Sequence, residues 1–392
     1  MAERRALVIS PEAPYPVVGG GALRTASLLE CLAGHYRVDL VLFTVDWDSR
    51  AALPPGKFGE TLLLRLPAHS ASLPARALRN AARLARGVPP LVDRFAGFEQ
   101  QIAAFLQDRH YDLGVVEHFW CAPYARILRR HCGKLALDLH NVESSWHARL
   151  AASEPWPYST AHRRFGEAYR RLEAEWLNEF DTLLATSAAD AALLDRQAVI
   201  YPNSIPYVKA PDVTPGLSVV FSGNLEYHPN LQAIAWFHRH VWPQLSRQWK
   251  GLKWRILGKN AHALPPELAR DPGIHITGAV EDSIIEIAAS RAAVVPLLSG
   301  SGTRIKIIEA WAAGAPVVST RLGAEGLDAV DGEHLLLADT PADFAAAVSR
   351  VLSEPALAAR LAASGRRLYE ENHTWEAAWR ALAPIGWFAG LR

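Results

Sequence analysis

Apolar residues along this chain come in short, nearly unbroken runs separated by amphipathic stretches. Ala6–Ser10 is the first run, and a Pro- and Gly-rich loop, PEAPYPVVGGG, leads from it into a helical pattern over Ala22–Ala33. Further runs are RVDLVLF ending at Phe43, TLLLRL (Thr61–Leu66), DLGVVEH (Asp112–His118), KLALDLH (Lys134–His140) and DTLLATS (Asp181–Ser187). Uniformly apolar runs of this length predict parallel strands buried on both faces. Helical stretches lie between them, the longest over Thr160–Phe180. Strand and helix in alternation predict a doubly wound α/β sheet.

Near residue 200 the rhythm breaks. YPNSIPYVKAPDVTPG holds four prolines and a glycine in sixteen residues and reads as a linker. A second α/β series follows: LSVVFSG, a helix over Asn230–Trp249, LKWRILG, GIHITGAV, AAVVPLL and PVVST. The expected division is a Rossmann-like domain over residues 1–205, a linker over 206–216 and a second Rossmann-like domain over 217–370. A helical segment, 371–392, is expected to pack back on the first domain. In such sheets ligands sit beyond the carboxyl ends of the strands. Two of these domains facing each other would hold a cleft between their loops.

Composition narrows the classes. With 392 residues the chain is too long for one ordinary core. Its 41 basic residues against 40 acidic ones exclude a disordered chain and argue against a dedicated nucleic-acid partner. Cys31, Cys121 and Cys132 form no CxxC, which argues against a disulfide framework or a cysteine zinc site. The opening, MAERRALVIS, has too short an apolar run for a signal peptide, and no stretch reaches the roughly 18 apolar residues that cross a bilayer. A cytoplasmic protein is expected, at most peripheral to the inner face of a membrane.

The segment Ser299–Thr320, SGSGTRIKIIEAWAAGAPVVST, carries the most chemistry. It follows an apolar run and opens a helix with Thr303 as the expected N-cap and Gly314 as the stop. Gly300 and Gly302 let backbone N–H groups approach an anion at a helix N-terminus. Arg304 and Lys306 add two cations there, and Glu309 shares a helical face with Lys306 one turn on. Such a set suits a nucleotide diphosphate, with phosphates at the helix start and a ribose diol on Glu309. The plain alternative is a capped amphipathic helix with a surface Lys–Glu pair.

With its continuation TRLGAEGL, this stretch resembles the C-terminal-domain signature of the family 4 glycosyltransferases. Other landmarks agree in order and spacing: the GGG loop, HFWCAP, DLHNVES, YPNSIPY, FSGNLEYHPN, ILGKN and ITGAVED. The resemblance spans nearly the whole chain. It implies a GT-B fold and retaining transfer from a nucleotide-diphosphate sugar to a hydroxyl acceptor, without a metal or other cofactor. It also implies contacts from Gly20, Gly21, Gly300, Gly302, Thr303, Arg304, Lys306 and Glu309 to the donor, with Arg304 and Lys306 stabilising the leaving diphosphate. One family glutamate is absent, since Ser301 stands eight positions before Glu309. The loop GNLEYHPN lacks the arginine and lysine that many members carry, so Arg304 and Lys306 are expected to supply those charges from the other side.

In the first domain Gly19, Gly20 and Gly21 read as a βα turn, which by resemblance approaches the donor phosphates or the acceptor. His118 ends its strand. A lone histidine is usually structural, but the family places one near the transferred sugar, so His118 is the expected catalytic residue there. His140 and Asn141, ending the next strand, are weaker choices. Glu117 is expected to face away, because side chains alternate along a strand. Asp46-Trp47-Asp48 spells DxD, yet it follows the second strand directly and reads as a solvated loop. Arg76, Arg79, Arg83 and Arg86 recur at helical spacing beside Leu73, Leu78 and Leu84. They read as a solvated helix face, or as a contact to an anionic membrane surface or a lipid-linked acceptor. Two rival readings are a sugar-nucleotide epimerase on the same fold and a catalytically silent partner subunit.

Overall fold

The computed structural model describes residues 3–17, 19–45, 53–69, 72–300 and 304–388. Gly302, Thr303, Ser301 and the Asp46-Trp47-Asp48 run therefore lie outside the described residues. The chain divides into two units, Met1–Asn203 with Trp379–Arg392, and Ser204–Ala378.

The first unit is built on β1 (Arg5–Ser10), β2 (Arg37–Thr44), β3 (Thr61–Arg65), β4 (Tyr111–Glu117), β5 (Cys132–Leu139), β6 (Thr182–Ala185) and β7 (Val199–Ile200). All pairings are parallel, in the order β3-β2-β1-β4-β5-β6-β7. The apolar runs become strands because both of their faces are covered. Ala6–Ile9 and Leu40–Leu42 are wholly inaccessible, and a core of Phe43, Phe95, Phe119, Tyr124 and Tyr169 packs between sheet and helices. Of the expected segment 371–392, the part from Trp379 on belongs to this unit and 371–378 to the second: Tyr36 donates its hydroxyl to the Trp387 carbonyl, and Trp379 donates its indole N–H to Ser27 O at 2.9 Å.

The second unit holds β8 (Gly216–Ser222), β9 (Lys253–Leu257), β10 (Ile274–Gly278), β11 (Ser290–Val295), β12 (Val317–Ser319) and β13 (Leu336–Leu337). These are again parallel, in the order β10-β9-β8-β11-β12-β13. Each unit is thus a doubly wound sheet, and its strand order reverses at one place: between β1 and β4 in the first unit, between β8 and β11 in the second. Loops leaving the carboxyl ends of those strand pairs diverge to opposite faces and open a crevice.

Two local readings change. The helix expected over Asn230–Trp249 is two helices, His228–His240 and Trp242–Gln248, with Pro243 in the first turn of the second. A proline fits there because a first-turn N–H has no helical partner to lose. The helix expected to be capped by Thr303 runs over Ile305–Ala312, with Arg304 in the N-cap position and no side-chain cap. Its far end is as expected: Gly314 takes φ 70°, and the N–H groups of Gly314 and Ala315 reach back to Trp311 and Ala310.

Candidate functional site

In the second unit the segment after β11 carries the expected cations, which pack against the loop after β8. Gly223 follows β8 with φ 152°, and a Cβ there would come within 2.8 Å of Asn230 Nδ2 and 3.2 Å of Lys306 Nζ. The missing side chain is what lets Lys306 lie across the loop. Its ammonium sits 4.2 Å from the centroid of the Phe221 ring and donates to Asn230 Oδ1 at 2.7 Å. Asn230 is fixed in turn, its amide donating to the Asn224 carbonyl at 2.8 Å. On the other side Gly300, at φ 114°, leaves room for Arg304, whose Nη1 would be 3.3 Å from a Cβ at that position. Arg304 is nearly buried.

Two cations packed together and out of water repel each other. Burial, then the Arg304 charge, push the Lys306 pKa down to about 7, and Glu309 recovers only part of the loss. Glu309 accepts from Ser283 Oγ at 3.3 Å, and burial raises its pKa. Lys306 and Glu309 thus take separate partners, and the surface Lys–Glu pair is not what forms. Arg304 and Lys306 thus bring two cations to the point where the strand order reverses.

In the first unit Gly20 and Gly21 open the helix Gly20–Ala33, not a loop before it, and Gly19 takes φ 102° in the N-cap position. A Cβ on Gly21 would stand 3.3 Å from Glu12 Oε2, 3.9 Å from His118 Nε2 and 4.0 Å from His140 Nδ1. The early glycines and His118 are therefore together, and His140 is with them. His118 sits at φ 61°, a conformation costing a non-glycine residue about 1–3 kcal/mol and concentrated at functional sites. Its ring is sandwiched between Trp120 (centroids 4.2 Å apart) and His140 (3.6 Å). Burial pushes the His118 pKa well down, so the imidazole is neutral.

The expectation for Glu117 is corrected here. Alternation applies within the strand, but the chain leaves β4 at His118 with positive φ, so Glu117 and His118 meet the same ring: Glu117 Oε2 lies 2.7 Å from His140 Nε2. Sequence reasoning also missed Arg24, whose guanidinium grips both Asp138 oxygens at 2.5–3.0 Å and donates to the Tyr201 carbonyl and Asn203 Oδ1. The signal was there to read: Glu117 and Asp138 are charges at the carboxyl ends of otherwise apolar runs. Glu117, Asp138 and His140 offer three ligand atoms within 4.8 Å of one another, the one such group among the described residues. Arg24 already supplies the positive charge that both Asp138 oxygens face, so the donor set suits this ion pair better than a cation.

Of the arginine stripe, Arg83 is nearly buried and pairs with Asp93 at 2.8 Å, and Arg86 pairs with the other Asp93 oxygen. No helix among the described residues is long and apolar enough to cross a membrane. A cavity lined by Arg4, His35, Arg37 and Lys57 opens at the amino end of β2 and holds none of the expected site residues.

Known proteins resemble this chain in sequence and in fold. The chain is 26% identical over 222 residues to an uncharacterized 44.6 kDa protein in the cps region of Klebsiella pneumoniae; the match covers 53% of this chain and 57% of that protein. The sucrose-phosphate synthase of Thermosynechococcus elongatus is similar in structure, with TM-score 0.72, 18% identity and 98% of each chain covered. WaaG, a glycosyltransferase involved in lipopolysaccharide biosynthesis, gives 0.66 at 14% identity, over 98% of this chain and 100% of that one. Anabaena HepE, in complex with UDP and glucose, gives 0.63 at 14%, over 98% and 99%. These likenesses establish a GT-B fold. Residues 216–354, which include Gly223, Asn230, Arg304, Lys306 and Glu309, match the family model of the group 1 glycosyl transferases, so the second unit is similar to that family and the chain as a whole takes the GT-B fold.

Proposed function

We propose that the chain is a retaining glycosyltransferase that moves a sugar from a nucleotide-diphosphate sugar to a hydroxyl acceptor in glycan or glycoconjugate synthesis, without a metal. The observation that carries this reading is the half-buried Lys306 ammonium against Gly223, beside Arg304 against Gly300, at the strand-order reversal. A diphosphate is the anion whose size and charge match two converging cations and glycine-lined backbone. Glu309 is assigned to the ribose hydroxyls. As the glycosidic bond breaks, negative charge grows on the departing diphosphate, and Arg304 and Lys306 stabilise it there. The leaving phosphate oxygen takes the proton of the acceptor hydroxyl as that oxygen bonds to the anomeric carbon. His118 and His140, whose ring nitrogens donate or accept hydrogen bonds, serve the hydroxyls of sugar or acceptor. The relative from a cps region and the UDP and glucose held by HepE support this reading. A contact with a membrane or lipid-linked acceptor through the Arg76–Arg86 helix would run chiefly through Arg76 and the exposed Leu78, because Arg83 and Arg86 are both engaged by Asp93.

Incubation with a panel of nucleotide sugars tests the reading. Nucleoside diphosphate release that requires a hydroxyl acceptor supports transfer. An altered sugar nucleotide formed without acceptor supports the epimerase, and no binding of any of them supports the silent subunit.

Two expectations attach to the donor site. Glu309→Gln keeps the fold and weakens donor binding by about 1–3 kcal/mol, the scale of hydrogen bonds to a charged group; calorimetry against the parent reads it. The pH dependence follows from Lys306. With its pKa at about 7 in the unliganded protein, the ammonium is charged below that value and neutral above it. Affinity for a nucleotide sugar, whose diphosphate diester carries no proton near neutrality, should therefore fall as pH rises through about 7. Above that pH, binding should take up a proton, which calorimetry in buffers of different ionisation enthalpy detects.

A further inference from the structure

The imidazoles at the carboxyl ends of β4 and β5 are backed by a carboxylate that the proposed transfer does not use. Glu117 is fully buried. Its Oε2 meets His140 Nε2 at 2.7 Å and Thr25 Oγ1 at 3.0 Å, while Oε1 has no hydrogen-bond partner. Asp138 is no substitute: its nearest oxygen is 3.6 Å from His140 Nε2, and both its oxygens are held by Arg24.

As a carboxylate oxygen Oε2 only accepts, so it takes both the Thr25 hydroxyl hydrogen and the hydrogen on His140 Nε2. A neutral His140 in this position therefore carries its one hydrogen on Nε2 and a lone pair on Nδ1. Nδ1 lies 4.0 Å from where a Cβ on Gly21 would stand, with His118 Nε2 at 3.9 Å and Glu12 Oε2 at 3.3 Å from the same point. The opposite tautomer would set two lone pairs against each other in a buried place, which costs the desolvation of both groups. The ring that Glu117 orients is also the one on which His118 stacks.

We propose that Glu117 is a positioning residue: by holding His140 as the Nε2–H tautomer, it makes Nδ1 an acceptor for a ligand hydroxyl in the space above Gly21. The proposal rests on the reading that these imidazoles serve the sugar or acceptor, and it adds the chemical requirement that the group meeting His140 be a hydrogen-bond donor.

The test uses the full chain labelled with 15N-histidine, with long-range proton–nitrogen NMR reporting each imidazole tautomer and the His140 signal assigned by its loss in His140→Gln. The parent should show His140 protonated on Nε2. Glu117→Gln should keep that tautomer, since Thr25 selects the amide oxygen for the position of Oε2, and should keep kcat within about threefold. Glu117→Leu should move hydrogen to Nδ1 and lower kcat about tenfold or more, with nucleoside diphosphate affinity unchanged. An unchanged His140 tautomer in Glu117→Leu overturns the proposal, and so does a shifted tautomer with unchanged kcat. If burial of Glu117 makes the leucine variant unfold, the parent itself decides: His140 with its hydrogen on Nε2 and its lone pair on Nδ1 supports the proposal, and a hydrogen on Nδ1 overturns it. Failure of the transferase reading is separate: the parent then releases no nucleoside diphosphate to any acceptor, while the tautomer comparison still decides the role of Glu117.

Discussion

Lys306→Ala should lower turnover about a hundredfold, the cost of removing one preorganised donor from a developing oxyanion, and should weaken nucleoside diphosphate binding as well. The two losses have different origins. Affinity falls because one of two converging cations is gone. Turnover falls further because the charge on the diphosphate grows as the sugar departs, so part of the ammonium's effect belongs to the transition state alone. Stability should hardly suffer. The ammonium is partly desolvated and its pKa is pushed down to about 7, so the unliganded protein gains little from it. Lys306→Met, which keeps the stem against Phe221, should share the loss of turnover and melt like the parent. Single-turnover rates beside calorimetry of the nucleoside diphosphate separate the effects; a variant that binds and turns over normally removes Lys306 from the site.

His118→Ala should cut turnover roughly ten- to hundredfold, the scale of a hydrogen bond at the reacting sugar or acceptor, while affinity for free nucleoside diphosphate stays that of the parent. His140→Ala should do the same, and the double variant should lose less than the product of the two, because the rings stack at 3.6 Å and share one space. The backbone offers a control on folding. His118 holds φ 61°, which glycine adopts without strain, so His118→Gly should melt no lower than His118→Ala while being as slow. Equal loss of nucleotide affinity in the His118 and Lys306 variants would mean that His118 acts on the diphosphate.

The fold was readable from pattern because parallel strands buried on both faces leave a strong trace. Ala6–Ser10, Asp112–His118 and Lys134–His140 mark β1, β4 and β5 to within two residues at each end. The two-residue edge strands β7 and β13 were not readable, since so short a segment has no period and is strand only by what it lies beside. At the site, residue types were legible and partners were not. Arg304, Lys306 and Glu309 stood out by charge after glycines, yet the partner of Lys306 is Asn230, 76 positions away, and that of Glu309 is Ser283. The Glu117 error has a local cause: alternation was carried one residue beyond the strand, to a position whose φ is positive.

The central claim is that the second unit binds a diphosphate through Lys306 and Arg304. It is tested most directly by titrating the chain calorimetrically, without divalent metal, with one nucleoside, its monophosphate and its diphosphate, on the parent and on Lys306→Ala, for uridine and guanosine in turn. The account predicts that, for at least one base, the diphosphate binds much more tightly than the monophosphate to the parent, and that this difference collapses in the variant. Binding that is absent for both bases, or that does not distinguish one phosphate from two, would contradict it.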